Sequence, residues 1–281
     1  MSSTFVFVHG SNGNSFYWAP LQRELALAGH RSLAVDLPGH GYAATFPSGY
    51  QAPQDPAALA TTPSAMAGIT LAETTEHLAD VVRRAGEHGP VIVVAHSRGG
   101  FPLTSLGNNH PELIARMVYI SAWCPVDVSG AEYSESPENA ESLLPEAFGV
   151  VVADPASLGA IRMNWRTADP ALLAVLKRTM LEDGTDEEFH AVLNLLEPDE
   201  MFDIGTEADR ARADTWGRVP RTYIRLTEDR SIPVALQDRF IKEADALTPD
   251  NPFDVRSLTS SHMRFVVHPA EAATMLGELA G

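Results

Sequence analysis

The residues best suited to covalent chemistry lie in the run Val91-Ile92-Val93-Val94-Ala95-His96-Ser97-Arg98-Gly99-Gly100. Apolar, mostly β-branched residues suited to a buried strand give way there to a serine followed by two glycines. A serine on a sharp turn between a strand and a helix presents its hydroxyl as a nucleophile. The turn needs small flanking residues, because the helix returns close against the strand. Gly99 meets that need on one side, and Ala95 stands where glycine is usual and is nearly as small. A serine beside glycines is also compatible with an ordinary turn. The order of elements favours the nucleophile: Gly89-Pro90 opens the strand, and residues 101–108 are compatible with a helix.

Ser97 needs a base to take its proton and a third group to orient that base. On a strand–turn–helix nucleophile these follow in chain order, first Asp or Glu and then His. Asp229, in Thr227-Glu228-Asp229-Arg230-Ser231-Ile232-Pro233, follows the strand-like residues 221–226. His262, in Ser261-His262-Met263, follows the last strand-like run. Asp127 and Glu228 remain alternatives for the acid. Among the ten histidines, His268 is the nearest rival base, but it precedes Pro269 at a helix start and suits a structural role. His96 should turn its side chain into the fold, and His9 and His40 suit loop organisation.

A carbonyl attacked by serine becomes an oxyanion and needs preorganised N–H donors. The backbone of Arg98 is one expected donor. The other is expected from the loop His9-Gly10-Ser11-Asn12-Gly13, with Ser11 as the donor and Gly10 permitting close approach. The Arg98 side chain has two readings, a bidentate contact to a substrate carboxylate or an ion pair with an acid of the chain, and the second is preferred. Asn12, Trp123 and Trp165 are expected to touch substrate. Trp165, Trp216 and the nearby methionines suit either an apolar pocket wall or, at helical spacing, the core.

The elements that must position these groups alternate. Strand-like runs occupy residues 5–9, 31–36, 91–95, 117–122, 221–226 and 253–258, with helix-like stretches at 18–28, 70–85, 101–108, 234–246 and from about 270. Almost wholly apolar strands that alternate with helices indicate a parallel sheet covered on both faces. Residues 42–68, dense in Pro, Ala, Ser and Gly, read as a long surface excursion. From 125 to 217 the alternation stops, and the stretch reads as an acidic helical cap inserted into a core of residues 1–124 and 218–281.

Composition bounds the partners. The 281-residue chain is 44% hydrophobic, normal for a domain with a sizeable core. The net charge is −17, and residues 127–218 alone carry −13, from 20 acidic and 7 basic residues. Nucleic acid is excluded for want of a basic footprint, and a solvated acidic surface is the plain reading of the excess. No run of about 18 apolar residues exists to cross a membrane. The N-terminus passes from Met1-Ser2-Ser3-Thr4 into a strand without a basic or apolar leader. The single cysteine, Cys124, forms no intrachain disulfide and suits a reducing, cytoplasmic setting and a core position. No metal site is expected, and a homodimer is left open.

Together Val8-His9-Gly10, the Val35-Asp36-Leu37-Pro38-Gly39-His40-Gly41 turn, the Ser97 segment, Thr227-Glu228-Asp229 with Ile232-Pro233, and Ser261-His262-Met263 resemble the α/β-hydrolase superfamily. The likeness is greatest to the methylesterase and hydroxynitrile-lyase branch and its bacterial esterase relatives, and it runs from residue 5 to residue 270. It implies an α/β fold with a Ser97–His262–Asp229 triad, a cap that shapes the pocket, a small-molecule ester or lactone as substrate, and no cofactor. The lyases carry threonine after the first-strand histidine and lysine after the catalytic one. Gly10 and Met263 match the esterases instead. A lyase or cyclase acting through the same base, or a small-molecule receptor, remains the alternative. Arg98, the 42–68 excursion and the span from Asp229 to His262 depart from the plant methylesterases.

Overall fold

A computed structural model describes residues 2–280. Its strands are β1 (Thr4–Val8), β2 (Arg31–Val35), β3 (Val91–Ser97), β4 (Arg116–Ala122), β5 (Ala160–Arg162), β6 (Asp199–Met201), β7 (Arg221–Leu226) and β8 (Asp254–Leu258). Six of them form one sheet in the order β2-β1-β3-β4-β7-β8, every pair parallel.

Successive side chains of a strand point to opposite faces, so a buried parallel sheet must fill two cores. Val6 and Val8 of β1, Val91, Val93 and Ala95 of β3, and Met117 and Tyr119 of β4 enter one of them. The helices Leu71–Gly86, Gly100–Asn109 and Val234–Leu247 cover that face through Leu78, Val82, Leu103, Leu106, Leu236 and Phe240. Phe5, Phe7, Ile92, Val94, Val118 and Ile120 enter the other core, beneath helices Ala19–Leu27 and Ala270–Gly277. Helix Leu71–Gly86 starts where the sequence marks it: the Thr70 side chain accepts from the Glu73 N–H, and Glu73 closes the reciprocal bond. Among the described residues no helix is long and apolar enough to cross a membrane.

Two regions differ from the expectation. Residues between β4 and β7 include helices Pro170–Met180 and Asp186–Leu195, but also the antiparallel pair β5 and β6. Three-residue strands are too short to show an alternating pattern. This pair is fixed by a long-range contact, Arg162 Nε and Nη2 each 2.6 Å from an Asp199 carboxylate oxygen. Nor is the 42–68 excursion only a surface loop. Tyr50, Leu59 and Met66 are buried, and Arg162 Nη1 donates to the carbonyls of Leu59 and Thr62 at 2.8 and 2.6 Å.

Candidate active site

The strand β3 ends in a strained turn. Ser97 has φ +54°, a left-handed conformation that is uncommon for residues other than glycine and costs of order 1–3 kcal/mol where it persists. The pairing of β3 with β4 shifts register between His96 and Ser97, where the chain leaves the sheet. The small residues around it are required by contact. A Cβ on Gly99 would lie 2.6 Å from the His9 carbonyl oxygen, and one on Gly100 would lie 1.9 Å from that of Trp123. A Cβ on Gly10 would lie 2.8 Å from Ser97 Cβ, so the loop after β1 presses directly on the candidate nucleophile.

Asp229 and His262 come together at the same edge, at the carboxyl ends of β7 and β8. His262 Nδ1 is 2.6 Å from Asp229 Oδ2. The other interactions of Asp229 leave its carboxylate saturated. Oδ1 accepts the Ser231 and Ile232 N–H groups at 2.6 and 2.9 Å, and Oδ2 also accepts Ser121 Oγ at 2.6 Å. Such a carboxylate fixes the ring orientation and keeps the proton on Nδ1, leaving Nε2 as the acceptor a base requires. Ser97 and His262 line one cavity of about 470 Å³. No hydrogen bond joins Ser97 Oγ to His262 among the described residues; in unliganded sites such bonds commonly tighten only with substrate.

The rivals Glu228, Asp127 and His268 do not line this cavity, whereas His96 does. Glu228 is exposed, and Asp127 uses its carbonyl to accept from Arg210. His268 pairs with Glu188 at 2.8 Å. His96 is fully buried; its Nδ1 meets the Tyr17 hydroxyl, and its ring centroid lies 4.3 Å from that of His262. Burial holds its pKa well below the usual histidine value, and the neighbouring His262 adds to the effect. Cys124 is buried in the core, and burial pushes its thiol up to about 12.

Ser11 and Arg98 border the same cavity as Ser97, and among the described residues neither backbone N–H has an acceptor. Two free donors beside a serine are what an oxyanion needs. The substrate-contact candidates divide. Trp123 lines the cavity and stacks on Phe101, ring centroids 5.6 Å apart. Trp165 also lines it, but its indole N–H is committed to the Glu197 carbonyl at 2.8 Å. Asn12 borders the cavity with its amide turned to the Glu197 and Pro198 carbonyls, at 2.8 and 3.3 Å, so it fastens a loop. Met163 and Met180 line the cavity too, whereas Trp216 belongs to the core and donates to Tyr119.

Sequence reasoning missed the polar groups that brace this edge. Glu197, Asp199 and Glu200 are 2%, 1% and 4% exposed, so these members of the acidic excess are internal partners and not solvated surface. His40 lies 3.0 Å from Glu197 and 3.6 Å from Glu200. Burial opposes a charge on His40, but the two carboxylates outweigh it and raise its pKa to about 9. Burial would raise the Glu200 carboxyl, yet His40, Arg98 and the Asn12 N–H hold it down to about 2. Burial and the neighbouring His40 lower His9 to about 3. His9 keeps a neutral role, with Nδ1 2.9 Å from the Gly10 carbonyl and Nε2 accepting the Leu37 N–H at 3.3 Å. The Arg98 side chain meets an acid of the chain, Glu200, at 3.5 Å, the preferred of its two readings.

A model of the alpha/beta hydrolase family matches residues 5–274. The chain is 25% identical to polyneuridine aldehyde esterase of Rauvolfia serpentina over 279 residues, covering 97% of this chain and 93% of that protein. It is 25% identical to methylesterase 1 of Arabidopsis thaliana over 235 residues, 82% of this chain and 79% of the other. It is 24% identical to a pyrethroid hydrolase of Sphingobium wenxiniae over 278 residues, 98% and 86% of the two. The crystal structure of polyneuridine aldehyde esterase superposes with a TM-score of 0.73 at 22% identity, with both chains fully covered, a likeness of fold. A family match over almost the whole length, joined to a parallel sheet that carries a strained serine at its edge, makes this chain a member of the alpha/beta hydrolase family, of the methylesterase-like kind.

Proposed function

We propose that the protein hydrolyses a carboxylic ester or lactone of a small, largely apolar molecule through an acyl-serine intermediate. The observation that carries this reading is the strained Ser97, which shares a cavity with His262 while Asp229 holds His262 Nδ1 at 2.6 Å. Ser97 Oγ attacks the carbonyl carbon as His262 Nε2 takes its proton. The carbonyl oxygen gains the electron pair and rests on the Ser11 and Arg98 N–H groups. The tetrahedral intermediate collapses, the C–O bond breaks, and His262 returns the proton to the leaving alkoxide. Water, deprotonated by His262, then attacks the acyl carbon and releases the acid and free Ser97.

The walls support an apolar substrate of moderate bulk. Phe101, Trp123, Leu144, Met163, Leu196 and Ile204 line the cavity, and Phe148 and Phe202, each about half exposed, stand in it as well. Position 10 takes a glycine because a Cβ there would press on Ser97, and it matches the esterases where the lyases carry threonine. The test is turnover of an ester and lactone panel, from p-nitrophenyl acetate to methyl and aryl esters, by wild type and by Ser97→Ala. The expected result is turnover well above background that disappears in a folded Ser97→Ala protein. A folded wild type inactive on the whole panel, or an active Ser97→Ala, overturns the reading.

A further inference from the structure

The two N–H groups beside Ser97 come from segments far apart in the chain, and the Gly13 N–H to Gly10 carbonyl bond at 3.2 Å is only part of what holds the first of them. The loop after β1 is held from outside. Glu200 Oε2 accepts the Asn12 N–H at 2.7 Å, Asn12 Nδ2 donates to the Glu197 carbonyl, and the Glu197 N–H donates back to the Asn12 carbonyl at 2.7 Å. Asn12 itself sits at φ +56°, a conformation that such external bonds must hold. The Arg98 side chain reaches the same inserted segment, donating through Nη2 to the carbonyls of Met201 and Asp203 at 2.7 and 2.9 Å. Its Nε lies 3.5 Å from Glu200 Oε1. One carboxylate therefore faces the residue after Ser11 and the side chain of Arg98 together.

We infer that Glu200 and Arg98 are positioning residues, a clamp through which residues 197–203 set the spacing of the two oxyanion donors. Glu200 borders the cavity, but its carboxylate is turned to the Asn12 N–H, His40 and Arg98, and it acts through Asn12 and Arg98. The Glu197 carboxylate secures the base of the clamp, accepting from Asn14 Nδ2, the Gly41 N–H and His40 Nδ1 at 2.8, 2.9 and 3.0 Å. A donor misplaced by about 1 Å stabilises the transition state far less and the ground state hardly at all, so the loss appears in kcat.

This inference rests on the serine-hydrolase reading, and its test separates the two. Glu200→Ala, Glu200→Gln and Arg98→Met are compared with wild type for kcat, KM, affinity for an aryl trifluoromethyl ketone and affinity for the product acid. Hydrogen exchange is followed in residues 9–14 and 97–101. The clamp predicts that Glu200→Ala and Arg98→Met lose about tenfold to hundredfold in kcat with KM within about twofold. Ketone affinity should fall by the same factor while product affinity holds. Glu200→Gln, which keeps an acceptor for the Asn12 N–H, should recover part of the loss and also serves if Glu200→Ala does not fold. Exchange in residues 9–14 should quicken in the Glu200 variants. Unchanged kcat, or equal losses of ketone and product affinity, overturns the clamp. If wild type neither turns over esters nor binds the ketone, the hydrolase reading fails. The clamp, which rests on that reading, then falls with it, whereas an active wild type with unchanged kcat in the variants overturns the clamp alone.

Discussion

Gly10→Ala tests the contact between the loop after β1 and the nucleophile. Position 10 does not have a positive φ, so alanine brings no backbone strain; its cost is local and steric. The new Cβ would stand 2.8 Å from Ser97 Cβ and 3.4 Å from Ser97 Oγ. Carbon atoms in contact rest about 3.5–4.0 Å apart, so the loop and the serine must separate by about 0.7–1.2 Å. A displacement of about 1 Å at a reacting group costs on the order of 100-fold in rate. Overpacking costs about 1–3 kcal/mol of stability, offset in part by the 0.4–1 kcal/mol or so that alanine gains over glycine through the unfolded chain. The assay is kcat and KM on the best ester of the panel, with thermal melting beside it. The expected outcome is a kcat lowered by about 100-fold in a protein that still melts cooperatively. Gly86→Ala is the control, because its nearest neighbour would be 3.9 Å away; activity there should not change. A Gly10→Ala protein that keeps kcat within about threefold would refute the reasoning.

Asp229→Asn should keep the fold but lower kcat by about 10³–10⁴-fold. The Ser231 and Ile232 N–H groups require an oxygen at Oδ1. The amide nitrogen must then face His262 Nδ1 and impose the wrong tautomer, which a pH–rate profile and the melting curve would separate from unfolding. Arg162→Met leaves the buried Asp199 carboxylate without its cation, and should lower stability in urea by about 3–5 kcal/mol. A loss below about 1 kcal/mol would contradict that assignment. The buried histidines set a pH window for stability. His40, raised to about 9 from 6.5, contributes fully below 6.5, and that contribution is lost as pH rises through 9. His9, lowered to about 3 from 6.5, and Glu200, lowered to about 2 from 4.5, remove stability as pH falls through those ranges. The contribution of the cluster should therefore peak near pH 6.5, and His40→Gln should flatten the alkaline side in urea titrations. An unaltered alkaline slope would count against the assignment of His40.

The centre of the sheet was legible because burial on both faces writes itself into β1 and β3 as apolar runs, and β3 runs only two residues past its expected end, into the strained serine; β7 starts and ends where expected although Arg221, Thr222 and Arg225 interrupt its apolar residues. The convergence of Ser97, Asp229 and His262 was legible for a related reason, since each stands at or just beyond the end of a parallel strand and strand order brings those ends to one edge. The brace was not. Glu197, Asp199 and Glu200 look like any acidic surface when their partners, Asn12, His40, Arg98 and Arg162, are 37 to 188 residues away in sequence. The only local hint was Arg98 itself, a large cation at a turn that wants compactness, which had to find a carboxylate somewhere. Asn12 shows the limit from the other side: a polar residue beside Ser11 suggests substrate contact, but its amide donates to the Glu197 and Pro198 carbonyls. Nothing local in the sequence carries that contact.

The central claim is that Ser97 carries the acyl group. Rapid quenching of wild type during turnover of the best ester, followed by peptide mass spectrometry, measures it directly. The account predicts the acyl mass on the peptide that contains Ser97, appearing and decaying at rates consistent with kcat, and no such mass in Ser97→Ala. Steady ester turnover with Ser97 unmodified, under quenching that captures the acyl-enzyme of a control serine esterase, would contradict it.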